Sequence, residues 1–367
     1  NYGFEDFFNN FLVLNNSFQR LIGGEFEFTS LPNVLSNKSG RLTQGNSGTW
    51  STNGRAALYL ILQKLKSKGV VHVHLPAFLC QSILQPVIAL EMDYSFYPVK
   101  TDMTVTPDPP SNSAVLLIHN FGLINDSVSG FRNDSSREYE LVEDASHVFL
   151  NDNFFNDIDN QYVFFSVRKH APTILGGWCN LNLNLNDFSK DVELNIYKSL
   201  SARLIKGIYL NDKKSQIDLD KEEYYLNVFR EIENTFNSDI CATSIPQYIM
   251  SIINSFRWNE ISRIRRSNWK ILHELIGNKV EPLFDKLPKG VVPLGYVIRT
   301  KNRDIIKEKL AQKRIFAPVH WRLPSEVNKN KFPDAVKLSD TVLTLPIDQR
   351  YGLNDMVYIS NSIKEIL

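Results

Sequence analysis

No uninterrupted apolar run in this 367-residue chain reaches the roughly 20 residues that a bilayer-spanning helix needs. Cysteine is scarce. Cys80, Cys179 and Cys241 are odd in number and widely spaced, which gives neither a disulfide framework nor a zinc spacing and fits a reducing compartment. Neither sign of charge prevails. With 41 Lys and Arg against 40 Asp and Glu, the formal charge is +1, leaving no electrostatic case for a nucleic-acid partner. The opening Asn1-Tyr2-Gly3-Phe4-Glu5-Asp6 has no basic stretch followed by an apolar core, so no signal peptide is read there and a cytoplasmic location is expected. Internal repeats and low-complexity tracts are absent.

What is present is ordinary globular composition, 43% hydrophobic and 22% charged. The length exceeds what one core usually supports, so two lobes are expected. Residues 1–50 form an N-terminal segment of unclear role. There Phe7, Phe8, Phe11 and Leu12 have helical spacing before Asn, Ser and Gly take over. Residues 51–250 read as a large domain and 251–367 as a small C-terminal one. From Arg55 to Lys66 an amphipathic stripe of Ala57, Leu58, Ile61, Leu62 and Leu65 predicts a helix capped by Asn53 or Thr52. Short apolar runs follow at Val70–Leu75, Ser95–Val99, Ala114–His119, Glu140–Glu143 and Tyr162–Ser166, with a helix over Gln81–Leu90. Several of these strands are apolar on both faces. The alternation predicts an α/β fold with a three-layer, doubly wound, mostly parallel sheet. Trp178–Leu183 suits a strand near the sheet edge, residues 186–240 are polar and helical in tendency, and Tyr248–Leu275 reads as one long helix. The small domain shows strand Gly295–Arg299, helix Arg303–Lys313, a strand near Phe316–His320, strand Val342–Leu345 and a closing helix capped by Asn354.

The chemistry-bearing residues gather at strand ends. One apolar strand ends in Glu143-Asp144, and another runs through Ser166 to Lys169 and is followed by Gly176-Gly177. Ligands bind at the C-terminal ends of strands in open α/β sheets. A lysine, an acid and a hydroxyl delivered there can hold an aromatic aldehyde cofactor. The lysine would form the Schiff base, Asp144 would keep a pyridine nitrogen protonated, and Ser166 would grip a phosphate. Taken singly each residue has a plainer reading: an exposed lysine after a strand, or an aspartate capping a turn. His147 fits a cofactor-ring hydroxyl or a satisfied polar site under the sheet equally well. Gly54-Arg55 opens a capped helix whose free N–H groups attract phosphate.

In order along residues 50–367 the chain resembles the DegT/DnrJ/StrS aminotransferases. The segments that carry the likeness are Thr52-Asn53-Gly54-Arg55-Ala56-Ala57-Leu58, Leu75-Pro76-Ala77-Phe78, His119-Asn120-Phe121-Gly122, Glu143-Asp144-Ala145-Ser146-His147, Ser166-Val167-Arg168-Lys169 and Gly176-Gly177. Ala317-Pro318-Val319-His320-Trp321 and Leu343-Thr344-Leu345-Pro346 complete them. The resemblance implies a pyridoxal 5′-phosphate transferase of fold type I. It would aminate a nucleotide-linked keto sugar with glutamate as donor, as a homodimer with active sites at the interface, for surface polysaccharide or a related glycan. It implies catalytic Lys169 and Asp144, and cofactor contacts from His147, Ser166, Gly54, Arg55, Phe78 and Cys80. Substrate contacts would come from His320 and Trp321, for which packing is an equally good reading, with no metal. The chain departs from the family in four places, one of them a lysine loop slightly shorter than the common form. Cys80 stands four residues after Pro76 where an aromatic often stacks on the cofactor, leaving Phe78 or a neighbour as substitutes. His147 replaces a glutamine. Asp239–Pro246 lacks the Asn and Arg that relatives lend to the partner subunit.

Three functions compete on these residues: the sugar aminotransferase, another reaction of the same cofactor (dehydration, or amination of a non-sugar ketone), and a degenerate non-catalytic homologue. Some relatives become dehydratases by replacing the lysine with histidine; the retained Lys169 favours transamination. His72 and His74 alternate on one strand face but lack a third ligand, so a metal is not expected. Arg263, Arg265 and Arg266 read as a solvated face or a dimer contact.

Overall fold

The computed structural model describes residues 21–28, 47–149, 161–211, 219–240 and 242–367. The expectations for Phe7, Phe8, Phe11, Leu12 and Cys241 lie outside the described residues. After β1 (Ile22–Gly23), the large lobe runs β2 (Thr49–Ser51), α1 (Gly54–Ser67), β3 (His72–Pro76), a 3-10 turn, α2 (Leu84–Ala89) and β4 (Asp93–Tyr97). It continues with β5 (Ser113–Ile118), α3 (Val128–Asn133), β6 (Glu140–Asp144), β7 (Tyr162–Ser166) and β8 (Gly177–Cys179). These strands form one seven-stranded sheet in the order β2-β8-β7-β6-β5-β3-β4. The five strands from β7 to β4 pair in parallel, while β8 pairs antiparallel with both its neighbours.

Burial explains why the strands are apolar on both faces. In β7, Phe164 joins a core built with α1, whereas Val163 and Phe165 join a second core on the other face. The helices α4 (Lys190–Asn211), α5 (Leu219–Ser238) and α6 (Gln247–Ser255) complete that second core through Ile196, Ile232 and Ile253. Helix, sheet and helix thus form three layers. Helix α1 starts where Asn53 Oδ1 accepts the Ala56 N–H at 3.1 Å. Its fully buried Ile61, Leu62 and Leu65 each contribute about 1.5–3 kcal/mol over an exposed site.

The chain then passes through α7 (Trp258–Ile276) into β9 (Glu281–Pro282), β10 (Tyr296–Arg299), α8 (Arg303–Gln312), β11 (Ile315–Phe316), α9 (Pro333–Thr341), β12 (Val342–Leu345) and α10 (Leu353–Ile366). Strands β12, β10 and β9 make an antiparallel sheet. Helix α7 serves both lobes: Trp258 and Ile261 lie in the second core, Trp269, Leu272 and Ile276 in a third with Tyr296, Leu343 and Ile359.

Four expectations change. Tyr248–Leu275 is two helices, because Phe256 takes an extended backbone and packs edge-to-face on buried Trp258. The strand near Phe316–His320 shrinks to Ile315–Phe316, which pairs in parallel with β1. Helix α10 is capped at Gly352, whose N–H is met by the Asp355 carboxylate at 2.9 Å, not at Asn354. Strand β8 lies near the sheet edge as expected, beside β2, but it spans only Gly177–Cys179 and does not reach Leu183.

Residues 21–28 form a strap between the lobes. Gly23 N–H donates to the Tyr351 hydroxyl at 2.6 Å, and the Arg350 guanidinium lies 4.4 Å from the Phe26 ring centre. From α4, Arg203 and Lys206 bond the Phe26 and Glu25 carbonyls.

Candidate active site

The C-terminal ends of β5, β6 and β7 open into a cavity of about 960 Å³ between the sheet, the strap and the small lobe. Asn53, Gly54, Arg55, Cys80, Asp144, Ser166, Lys169, His320 and Trp321 all line it. Phe78 and His147 do not. Phe78 is buried in the first core with its ring 5.5 Å from that of Trp321.

Strand alternation sends the two acids of β6 to opposite faces. Asp144 faces the cavity. Its backbone carbonyl accepts the His119 N–H at 3.0 Å, and Oδ1 accepts the Ser146 N–H at 2.8 Å. Oδ2 has no partner among the described residues. Glu143 is fully buried behind it, bonded by Arg132 Nε and Nη2 at 2.8 and 2.7 Å and by His119 Nε2 at 2.8 Å. Burial alone would raise the Glu143 carboxyl, but bonds from Arg132 and His119 override it and hold it below the usual carboxylate range.

Lys169 ends a short 3-10 turn after β7, exposed within the cavity, with Nζ 3.1 Å from His147 Nε2. His147 is buried. Its Nδ1 accepts the Phe121 N–H at 3.3 Å, and its ring stacks on Trp321 with centroids 4.9 Å apart. Burial, and then the neighbouring Lys169, keeps it neutral, well below the ordinary histidine value. His320 stands edge-on to His147 at 5.2 Å and bonds Thr344 Oγ1 at 2.9 Å. Burial and Lys169 push it down to about 3.

A cradle forms where α1 starts. A Cβ added at Gly54 would sit 3.3 Å from Ser166 Cβ and 3.5 Å from Ser146 Oγ, so the glycine keeps that corner open. At Gly177 a Cβ would lie 1.9 Å from the Asn53 carbonyl oxygen, and its absence lets β8 press against the helix start. The Gly54 and Arg55 N–H groups belong to the first turn and have no helical acceptor. Ser146 and Ser166 are buried as residues, yet both line the cavity, and neither hydroxyl has a protein partner among the described residues. These four donors suit a phosphate. Ser146 was passed over in the sequence, although a hydroxyl two residues after Asp144 was its signal.

The Arg55 side chain turns away from the cradle. It donates to Glu233 Oε2 at 3.0 Å, to Gln85 Oε1 at 2.9 Å, and to Asn237 and the Phe236 carbonyl. Arg168 donates to the other Glu233 oxygen at 2.6 Å. Arg265 is also unlike its expected solvated or dimer-facing role: it is buried and donates to the carbonyls of Leu294, Pro293 and His170 and to Gln349, tying the lobes together. His72 and His74 both bond Ser95 Oγ at 2.7 Å, and no metal-ligating cluster occurs among the described residues. Nor is any helix among them long and apolar enough to cross a membrane.

No family model and no curated protein matches the sequence. Solved structures do. The sugar aminotransferase CalS13 from Micromonospora echinospora is 15% identical with a TM-score of 0.62, over 94% of this chain and 100% of its own. A candidate sugar aminotransferase of Streptococcus pneumoniae, Spr1654 in its PMP form, is 16% identical with a TM-score of 0.61, over 94% and 93%. A DegT DnrJ EryC1 StrS aminotransferase from Brucella abortus is 15% identical with a TM-score of 0.57, over 91% and 90%. The chain therefore has the fold of these aminotransferases along almost its whole length.

Proposed function

We propose that the protein is a pyridoxal 5′-phosphate-dependent aminotransferase of the DegT/DnrJ/StrS type, moving an amino group from glutamate to a keto sugar carried on a nucleotide. One observation carries the reading: Lys169, Asp144 and a donor cradle of Gly54, Ser146 and Ser166 share one cavity at the strand ends. The residues present fit the cofactor. The cradle suits its phosphate, Asp144 Oδ2 suits a protonated ring nitrogen, and Lys169 suits its aldehyde. The fold shared with sugar aminotransferases supports the reaction class.

When bound, pyridoxal phosphate supplies an electron sink for the substrate carbon. Asp144 holds a proton on the pyridine nitrogen while Ser146 fixes the orientation of its carboxylate. The Lys169 amine carries the proton between carbons. The stacked His147 and Trp321 and the edge-on His320 stand beside Lys169 and orient its amine. His320 and Trp321 face the substrate end of the cavity. Homodimeric assembly, a cytoplasmic location and a role in surface polysaccharide or related glycan synthesis belong to the same proposal.

Purified protein should be yellow and should bleach with glutamate, with turnover of a nucleotide keto sugar. Glutamate bleaching without turnover of any such sugar points instead to another ketone. A colourless protein that takes up no cofactor overturns the proposal. Lys169→Ala should carry no borohydride-fixed cofactor; label retained on that variant removes Lys169 from its role.

A further inference from the structure

The proposed cofactor carries a phosphate of nearly two negative charges, and its cradle as described above is made of neutral donors only. A dianion taken out of water without a cation is strongly disfavoured, so charge has to come from nearby. The turn that delivers Lys169 also carries Arg168, two residues beyond Ser166 and on the wall of the same cavity. Its Nη2 donates to Glu233 at 2.6 Å, but its Nε is buried and has no partner among the described residues. A buried unpartnered donor on a ligand cavity calls for an acceptor that the chain itself does not supply.

The surroundings hold Arg168 ready. Its guanidinium lies 5.4 Å from the Phe236 ring centre, and that of Arg55 lies 5.9 Å from the same ring. Both arginines share Glu233, one on each carboxylate oxygen. Two guanidinium cations thus share one carboxylate at this end of the cavity, with Glu25 also acting on Arg168. Arg55 directs its Nη donors to protein acceptors, whereas Arg168 keeps a buried Nε without one among the described residues. Burial opposes its charge, and Glu233 together with Glu25 more than restores it, so Arg168 stays a cation.

We propose that Arg168, held in place by Glu233 and Phe236, is the cationic partner of the phosphate seated on Gly54, Ser146 and Ser166. This rests on the cofactor reading above and assigns a residue that reading did not use. The test strips the full-length protein of cofactor. It then titrates wild type, Arg168→Gln and Arg168→Lys with pyridoxal phosphate and with pyridoxal, which lacks the phosphate. Binding is followed by tryptophan fluorescence and by absorbance. A charge-assisted hydrogen bond is worth about 1.5–3 kcal/mol, or roughly a ten- to hundredfold change in affinity. Arg168→Gln should lose about that much for pyridoxal phosphate and nothing for pyridoxal, and Arg168→Lys should recover most of it. Inorganic phosphate should raise the melting temperature of wild type but not of Arg168→Gln. Equal losses for both ligands, or no loss for either, overturn the assignment. Wild type that binds neither ligand instead overturns the cofactor reading, and this assignment falls with it.

Discussion

His147 and Trp321 lie face to face across the two lobes, their ring centroids 4.9 Å apart and their planes 21° from parallel. The pair joins the loop after β6 to the loop after β11, and Lys169 Nζ sits 5.9 Å from the Trp321 ring centre. The stack therefore aligns the lysine from two directions. Trp321→Phe keeps a ring on His147 and should retain most activity. Trp321→Ala removes it and should slow glutamate-driven bleaching at least about tenfold, since displaced reacting groups lose orientation. Stopped-flow absorbance reads the rate, and an unchanged Trp321→Ala would remove the stack from the mechanism.

Acid should destabilise the fold through its buried histidines. Burial and the nearby Arg265 depress His170 to about 3, and His320 is likewise at about 3. An unfolded histidine takes up its proton near 6.5, so between about pH 6.5 and 3 the unfolded state binds more protons and stability falls as pH falls. Each such group adds about 1.4 kcal/mol per pH unit to the slope. His170 Nε2 donates to the Ser146 carbonyl, and a glutamine can make the same bond. His170→Gln should accordingly lose less stability than wild type between pH 6 and pH 4 in urea unfolding. Identical slopes would show that His170 does not contribute.

Glu143 has the opposite sign. Its carboxyl is held below the usual range, so its stabilisation is present above the unfolded carboxylate value and is lost as pH falls through the folded one. Removing one member of a buried ionic cluster costs about 3–5 kcal/mol. Glu143→Gln should lower stability by about that at pH 7, and the gap to wild type should narrow toward pH 3. A gap that stays constant with pH would mean that packing, not charge, is what Glu143 provides.

The sheet was legible in the sequence because its strands are short apolar runs closed by polar residues, and the observed bounds of Tyr162–Ser166 match the expected ones. Asp144, Ser166 and Lys169 stood out for the same reason, as polar residues at the ends of apolar strands. What the sequence hid are relationships between elements. Periodicity cannot show that Trp321 meets His147, that Glu233 joins Arg55 to Arg168, or that Ile22 pairs with Ile315. Arg265 looked solvated because neighbouring arginines usually are, whereas its acceptors lie on three other segments. Phe78 was a candidate for the cofactor face by its distance from Pro76, and packing put it beneath Trp321 instead. The break after Ser255 carries neither Pro nor Gly, so tertiary packing of Phe256 and Trp258 decides it.

Gly54 separates the cradle from the fold. Its backbone is ordinary helix, so alanine there carries no conformational penalty and reduces the freedom of the unfolded chain. The new methyl group would lie 3.3 Å from Ser166 Cβ and 3.5 Å from Ser146 Oγ, tight enough to require small shifts. It would also fill the corner where the free N–H groups and both hydroxyls converge. Gly54→Ala should therefore leave the melting temperature of the cofactor-free protein within a few degrees of wild type. Affinity for pyridoxal phosphate should nevertheless fall about tenfold or more, the loss of at least one charge-assisted hydrogen bond. Calorimetry on the stripped protein and equilibrium titration with the cofactor measure the two effects separately. Full cofactor affinity in Gly54→Ala would move the phosphate away from the start of α1.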